Sequence, residues 1–150
     1  MTIGKQISVI LTVLAVLILV AAFFNPHRSN TPAFTTPLRI GSTDMHVALA
    51  TTSAEEELGL SHSAPLTPDR GMLFVFPAPQ TPQFWMKDMN YPLDIIWIDA
   101  SKRVVDISKN ILPESYPKTV QPKTPILYVL EVSAGFSDTH ALAAGTEVSF

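Results

Sequence analysis

Three apolar runs dominate the middle of the chain, at residues 71–76, 84–87 and 93–99, each rich in aromatic and branched side chains. Both alternating positions of each run are largely apolar, which predicts strands covered on both faces. Asp88-Met89-Asn90-Tyr91-Pro92 reads as a short turn, so the second and third runs are expected to pair as a hairpin. Pro77, Pro79 and Pro82 are expected to force a rigid bend between the first run and the second.

The flanking pattern supplies the remaining elements. Leu38-Arg39-Ile40 and residues 45–50 alternate as strands around a Gly41-Ser42-Thr43-Asp44 turn, an opening hairpin. Thr52 with Glu55, or Ser53 with Glu56, forms a capping box for a short helix that Gly59 stops. Its three glutamates suit a solvated helix start. Residues 61–70 form a loop, 104–107 a strand, and 111–125 a proline-punctuated loop. The last long strand spans 126–132, a helical turn is expected at 137–142, and residues 146–150 close the sheet. About eight short strands with one or two short helices predict a mainly β fold, a compact antiparallel barrel or sandwich.

Ahead of this domain, residues 7–24 are apolar apart from Ser8 and Thr12, and Lys5 precedes them. As a helix the run would reach about 27 Å, close to the thickness of a bilayer core. Residues 1–24 therefore read as a signal anchor. A signal peptide cleaved after Val20-Ala21-Ala22 is the alternative. Either way Lys5 holds that end in the cytoplasm, so the rest is expected outside it, membrane-anchored or released after cleavage. Residues 25–37, with Pro26, Pro32 and Pro37 among serine and threonines, read as a flexible tether. The globular domain is then 38–150.

That domain carries eight basic and thirteen acidic residues, a net charge of −5. Scattered bases in an acidic domain argue against a nucleic-acid surface and against tight docking on anionic lipid. With no cysteine, disulfides, thiolate nucleophiles and zinc–thiolate sites are excluded. His27, His46, His62 and His140 lie far apart without metal-ligand spacing, so neither a metal nor a cofactor is expected.

Candidate chemistry rests on charges inside apolar strands. Lys87 and Asp94 sit near the two ends of the presumed hairpin turn, where a register-fixing salt bridge, a ligand site or acid–base work are all open. Glu131 interrupts the last long strand and needs either a basic partner such as Arg70 or Lys87, or water at a sheet edge. Asn110 occupies a loop, where functional polar groups concentrate. The candidate ligand-binding residues are Arg70, Lys87, Asp94, Asn110 and Glu131. Trp85, Trp97, Phe84, Phe74 and Tyr128 read as core, although a tryptophan beside acidic groups also suits a sugar or base. No phosphate loop, nucleophile elbow or dinucleotide fingerprint is present.

The words Gly59-Leu60-Ser61, Asp69-Arg70-Gly71-Met72-Leu73-Phe74-Val75-Phe76 and Phe84-Trp85-Met86-Lys87-Asp88-Met89 carry a family resemblance. So do Pro92-Leu93-Asp94-Ile95-Ile96-Trp97-Ile98-Asp99, Pro113-Glu114-Ser115, and Tyr128-Val129-Leu130-Glu131-Val132 with Gly135. From about Leu38 to Phe150 the chain resembles domain of unknown function family 192. The resemblance implies a small mainly β fold and an exported or membrane-anchored setting, with no biochemical role to transfer. Where that family usually carries arginine a few residues after its Gly-Leu pair, this chain has His62-Ser63.

The function expected is a non-enzymatic extracytoplasmic module for a small ligand, a glycan or an envelope protein. An envelope hydrolase using Asp94 and Glu131 as acid and base is one alternative. A structural interaction domain with an exposed aromatic face is another.

Overall fold

The computed structural model describes residues 31–150. The apolar run at 7–24 and the first part of the expected tether lie outside the described residues. Among the described residues, no helix is long and apolar enough to cross a membrane.

The fold is mainly β. In chain order the strands are β1 (Thr36–Ile40), β2 (Thr43–Ala50), β3 (Arg70–Gln80), β4 (Phe84–Trp85), β5 (Leu93–Ile98), β6 (Val104–Ile111), β7 (Thr119–Val120), β8 (Ile126–Ser133) and β9 (Val148–Ser149). Helix α1 (Ser53–Leu58) lies between β2 and β3, and α2 (Phe136–Thr139) between β8 and β9. Seven strands form one sheet in the order β6-β5-β8-β3-β2-β1-β9, and β4 pairs with β7 in a separate ribbon.

The large sheet curls into a half-barrel. Its two edges meet near one end: Arg103 bridges Glu147, the Val148 N–H donates to the Lys102 carbonyl at 2.9 Å, and the Val104 N–H donates to the Thr146 carbonyl at 2.9 Å. The inner face gathers Leu38, Ile40, Val47, Leu73, Ile96, Ile98, Leu130 and Val132 into one core, stoppered by Phe136 and Leu142. The outer face carries a second core of Met72, Phe74, Leu93, Ile95, Trp97 and Val129, roofed by Leu60, Met86 and Tyr91. All six residues of β5 are consequently buried. This is the two-sided covering that its continuous apolar run requires.

Several expected pairings differ from those observed. The second and third apolar runs do not form a hairpin. β4 pairs with β7, while β5 lies between β6 and β8. The 88–92 turn lets the chain change layer, so β4 roofs the outer face instead of joining the sheet. The sheet is antiparallel except where β2 runs parallel to β3, a pairing that α1 makes possible by carrying the chain back to the starting end. β3 also runs on through Pro77 and Pro79 to Gln80. Pairing with β2 ends at Phe74, and the register to β8 shifts between Val75 and Gln80, so no ladder hydrogen bond is asked of either proline nitrogen.

The expected two-sided covering fails at residues 84–87, where β4 spans only Phe84–Trp85 and both Trp85, read as core from the sequence, and Lys87 are exposed. Several other local signals acted as expected. Thr52 and Glu55 form the complete capping box of α1, and Gly59 ends the helix at a φ of 49°. At Gly71 an added Cβ would stand 2.8 Å from the Glu131 carbonyl oxygen and 2.9 Å from Met45 Cε, so only glycine lets β3 lie this close to β8. Phe34, within the expected tether, packs on the outer core with the Arg70 guanidinium 5.1 Å from its ring centre.

Candidate functional site

Glu131 lies on β8, opposite Met72 of β3 on one side and Ile95 of β5 on the other. Strand alternation turns its side chain to the outer face with Val129, while Leu130 and Val132 point inward. Neither flanking side chain can hydrogen-bond to it. The residue is 6 % exposed, and its Oε2 is buried without a hydrogen-bond partner among the described residues. Burial pushes the carboxyl up to about 8. At neutral pH Glu131 is therefore mostly protonated, an uncharged acid held in an apolar wall. Buried polar atoms are nearly always satisfied, so an orphaned oxygen here requires a reason.

The space beside it supplies one. A cleft of about 250 Å³ opens over the outer face, with Glu131 among its lining residues. Phe84 of β4 forms part of its wall, its ring edge-on to Phe74 at 4.9 Å and to Trp97 at 5.5 Å. The loop after α1 forms another part. At Gly59 an added Cβ would stand 3.5 Å from Phe74 and 3.9 Å from Glu131 Oε2. Trp85 lies at the mouth, 47 % exposed, with the Tyr116 ring 6.1 Å away. Glu56 and Glu57 of α1 complete the rim.

The roof is fixed by a short relay. Ser63 donates its hydroxyl to the Leu60 carbonyl at 2.7 Å, which commits its only proton. The Tyr91 hydroxyl, 2.7 Å from Ser63 Oγ, must then be the donor in that pair. Burial raises the Tyr91 phenol above its ordinary range; the Ser63 bond works against this, and the nearby Glu131 adds to it. Ser61, at the cleft edge, donates to the Lys87 carbonyl at 2.9 Å and ties the α1 loop to the segment after β4.

The five sequence candidates do not converge. Asp94 is fully buried on the inner face, pointing away from Glu131. Its Oδ1 accepts from the Asn110 N–H at 2.8 Å and its Oδ2 from the Ser137 N–H at 2.9 Å. Gly135, the residue just before α2, has no side chain to cap the helix, and Asp94 does so from β5. Asn110, at a φ of 51°, stands where the β5–β6 register shifts, and its bulged N–H is the one Asp94 satisfies. Asn110, expected in a loop, lies in β6; it contributes backbone, and its exposed side chain lies outside the cleft lining.

Three pairings that the sequence left open are overturned. Lys87 and Asp94 form no salt bridge, because Lys87 is exposed with its ammonium 5.9 Å from the Trp85 ring centre, whereas Asp94 is sealed in the inner core. Asp94 and Glu131 cannot act as an acid–base pair, because adjacent strands present them to opposite faces of one sheet: Asp94 pairs with Val132 and Ile95 with Glu131. Arg70 does not neutralise Glu131 either; it is exposed at the start of β3 against Phe34. Of the five, only Glu131 lines the cleft. Tyr91 drew notice in the sequence only as part of a turn, Glu56 only as part of a solvated helix start, and Ser63 only beside His62; nothing there tied them to one site.

The family model DUF192, "Uncharacterized ACR", matches residues 36–150. The chain belongs to this family. No match was found among curated proteins. Among solved structures, a candidate transcription regulator from Sinorhizobium meliloti 1021 is similar, with 29 % identity, a TM-score of 0.72, and coverage of 75 % of this chain and 91 % of that one. A protein of unknown function from Novosphingobium aromaticivorans DSM 12444 is also similar, at 28 % identity and a TM-score of 0.73, covering 81 % of this chain and 94 % of that one. In this DUF192 domain, four segments that carry the family resemblance meet at the cleft, supplying Gly59, Phe74, Trp85 and Glu131. His62, near the position of the usual family arginine, stands with Nε2 3.8 Å from Asp88.

Proposed function

We propose that this DUF192 domain is a non-enzymatic binding module that takes a small ligand, or one residue of a glycan, in the cleft beside Glu131. The observation that carries the reading is the orphaned Glu131 Oε2, buried yet lining an open cleft. A partner in the cleft would satisfy that oxygen, and the exposed Trp85 ring at the mouth offers a face for stacking. The setting proposed is extracytoplasmic, held by residues 7–24 or released after cleavage, and it rests on the apolar run behind Lys5. A nucleic-acid ligand is disfavoured by the domain's excess of acidic residues.

The test is a panel of cell-wall fragments and small metabolites titrated into the full chain in mild detergent, read by Trp fluorescence and by thermal shift. Saturable binding that Glu131→Gln and Trp85→Ala both weaken is the expected result. A second reading, docking of an envelope protein, is favoured by the exposed Trp85 and Tyr116 pair with Leu112, which is 54 % exposed. For that reading Tyr116→Ala and Leu112→Ser should abolish capture while Glu131→Gln leaves it intact.

A further inference from the structure

Among the described residues, the titratable side chains lining the cleft are Glu56, Glu57 and Glu131, with no lysine, arginine or histidine. Much of the remaining wall is aromatic, with Phe74, Phe84 and Trp85, beside the Met89 thioether. An anionic ligand would meet three carboxyl groups in the lining, with the Lys87 ammonium only near the Trp85 ring at the mouth. A neutral one could satisfy Glu131 Oε2 but would leave the absence of bases unexplained. Aromatic faces with carboxylates form the surroundings in which ammonium groups are bound. Trp85 already has the ammonium of Lys87 5.9 Å from its ring centre.

We propose that the ligand class of this cleft is an organic cation, a primary or methylated ammonium group seated against Glu131 and the Phe84 and Trp85 rings, with Glu56 and Glu57 attracting it at the rim. The proposal rests on the cleft-binding reading above and deepens it. Binding carries a proton signature. Free Glu131 is mostly protonated at pH 7, and the ion pair needs its carboxylate, so the bound cation drives its proton to the buffer. Of the other titratable groups, Tyr91 in the roof feels the Glu131 charge, while Glu56 and Glu57 of α1 line the same cleft; β3 and β5 present Met72, Phe74 and Ile95.

The experiment is isothermal titration of the full chain in mild detergent with choline, n-butylamine, the neutral choline isostere 3,3-dimethylbutan-1-ol, and N-acetylglucosamine. Two buffers of different ionisation enthalpy are used at pH 6 and pH 7. The cations are expected to bind, the isostere at least about tenfold more weakly, with roughly one proton released per cation at pH 7 and affinity rising about tenfold from pH 6 to pH 7. Glu131→Gln should abolish both the binding and the proton release, and Trp85→Ala, at an exposed position, should weaken the binding in a chain of unchanged stability. Equal binding of isostere or sugar, still dependent on Glu131, overturns the cation while leaving the cleft reading in place. Cation binding without proton release, or unchanged in Glu131→Gln, overturns the assignment of the site. No saturable binding of any probe overturns both readings.

Discussion

Glu131→Gln should make the protein more stable at neutral and alkaline pH while removing its ligand. In the folded chain burial raises the carboxyl from 4.5 to about 8, and in the unfolded chain it returns to its ordinary value. A folded pKa above the unfolded one means that this group's stabilising contribution is full below pH 4.5. It is lost progressively as pH rises towards 8, because the unfolded chain ionises first. At ~1.4 kcal/mol per pH unit the full loss is about 5 kcal/mol, and about 3 kcal/mol has already gone at pH 7. Little solvent screening discounts this, since the side chain is 6 % exposed. Glutamine keeps the shape and cannot ionise. The difference between variant and wild type should therefore grow from about 1 kcal/mol at pH 5 to roughly 3 kcal/mol at pH 7 and about 5 kcal/mol at pH 9. Urea melts of both full chains in mild detergent, followed by fluorescence of the fully buried Trp97, measure it at each pH. Taking the difference cancels the opposite acid sensitivity of Asp44 and Asp69, whose carboxyls hydrogen bonds hold below their usual range. A difference flat from pH 5 to pH 9 would refute the buried, protonated Glu131. A stability gain coupled to loss of binding is the signature of a group retained for function at a cost to the fold.

Two further outcomes follow from the same geometry and a third from the apolar run at residues 7–24. Asp94→Ala strips the acceptor from two backbone donors, at Asn110 and Ser137, and should cost about 2–5 kcal/mol in denaturant melts. Lys87→Met should change stability by less than about 0.5 kcal/mol, and a double-mutant cycle with Asp94→Leu should show coupling near zero; coupling above ~1 kcal/mol would restore the salt bridge that the structure excludes. Mass spectrometry of the mature chain should find Met1 or Thr2 retained in the membrane fraction if residues 7–24 are an anchor, and a new terminus near Phe23 if they are a cleaved signal.

Several features that depend only on near neighbours in the chain were legible in the sequence, although the bend expected at Pro77 and Pro79 was not one of them. The Thr52–Glu55 capping box, the stop at Gly59 and the two-sided burial of residues 93–98 follow from local hydrogen bonding and from apolar residues at both alternating positions. Glu131 stood out for the same reason, as a lone acid in an apolar strand. Partners were decided only in three dimensions. A turn at 88–92 is compatible with a hairpin or with a change of layer, and the choice was made by β7, some thirty residues onward, which offers β4 its edge. The two acids that looked alike in sequence were separated by strand register, since a shift of one position sends a side chain to the opposite face of the sheet. Asp94 went inward to donors that exist only where a bulge and a helix start meet it. Glu131 went outward under a roof that brings it a cleft and no donor for Oε2. Charge alone could not separate them, because the cost of burying a carboxyl depends on the groups that tertiary contact places around it.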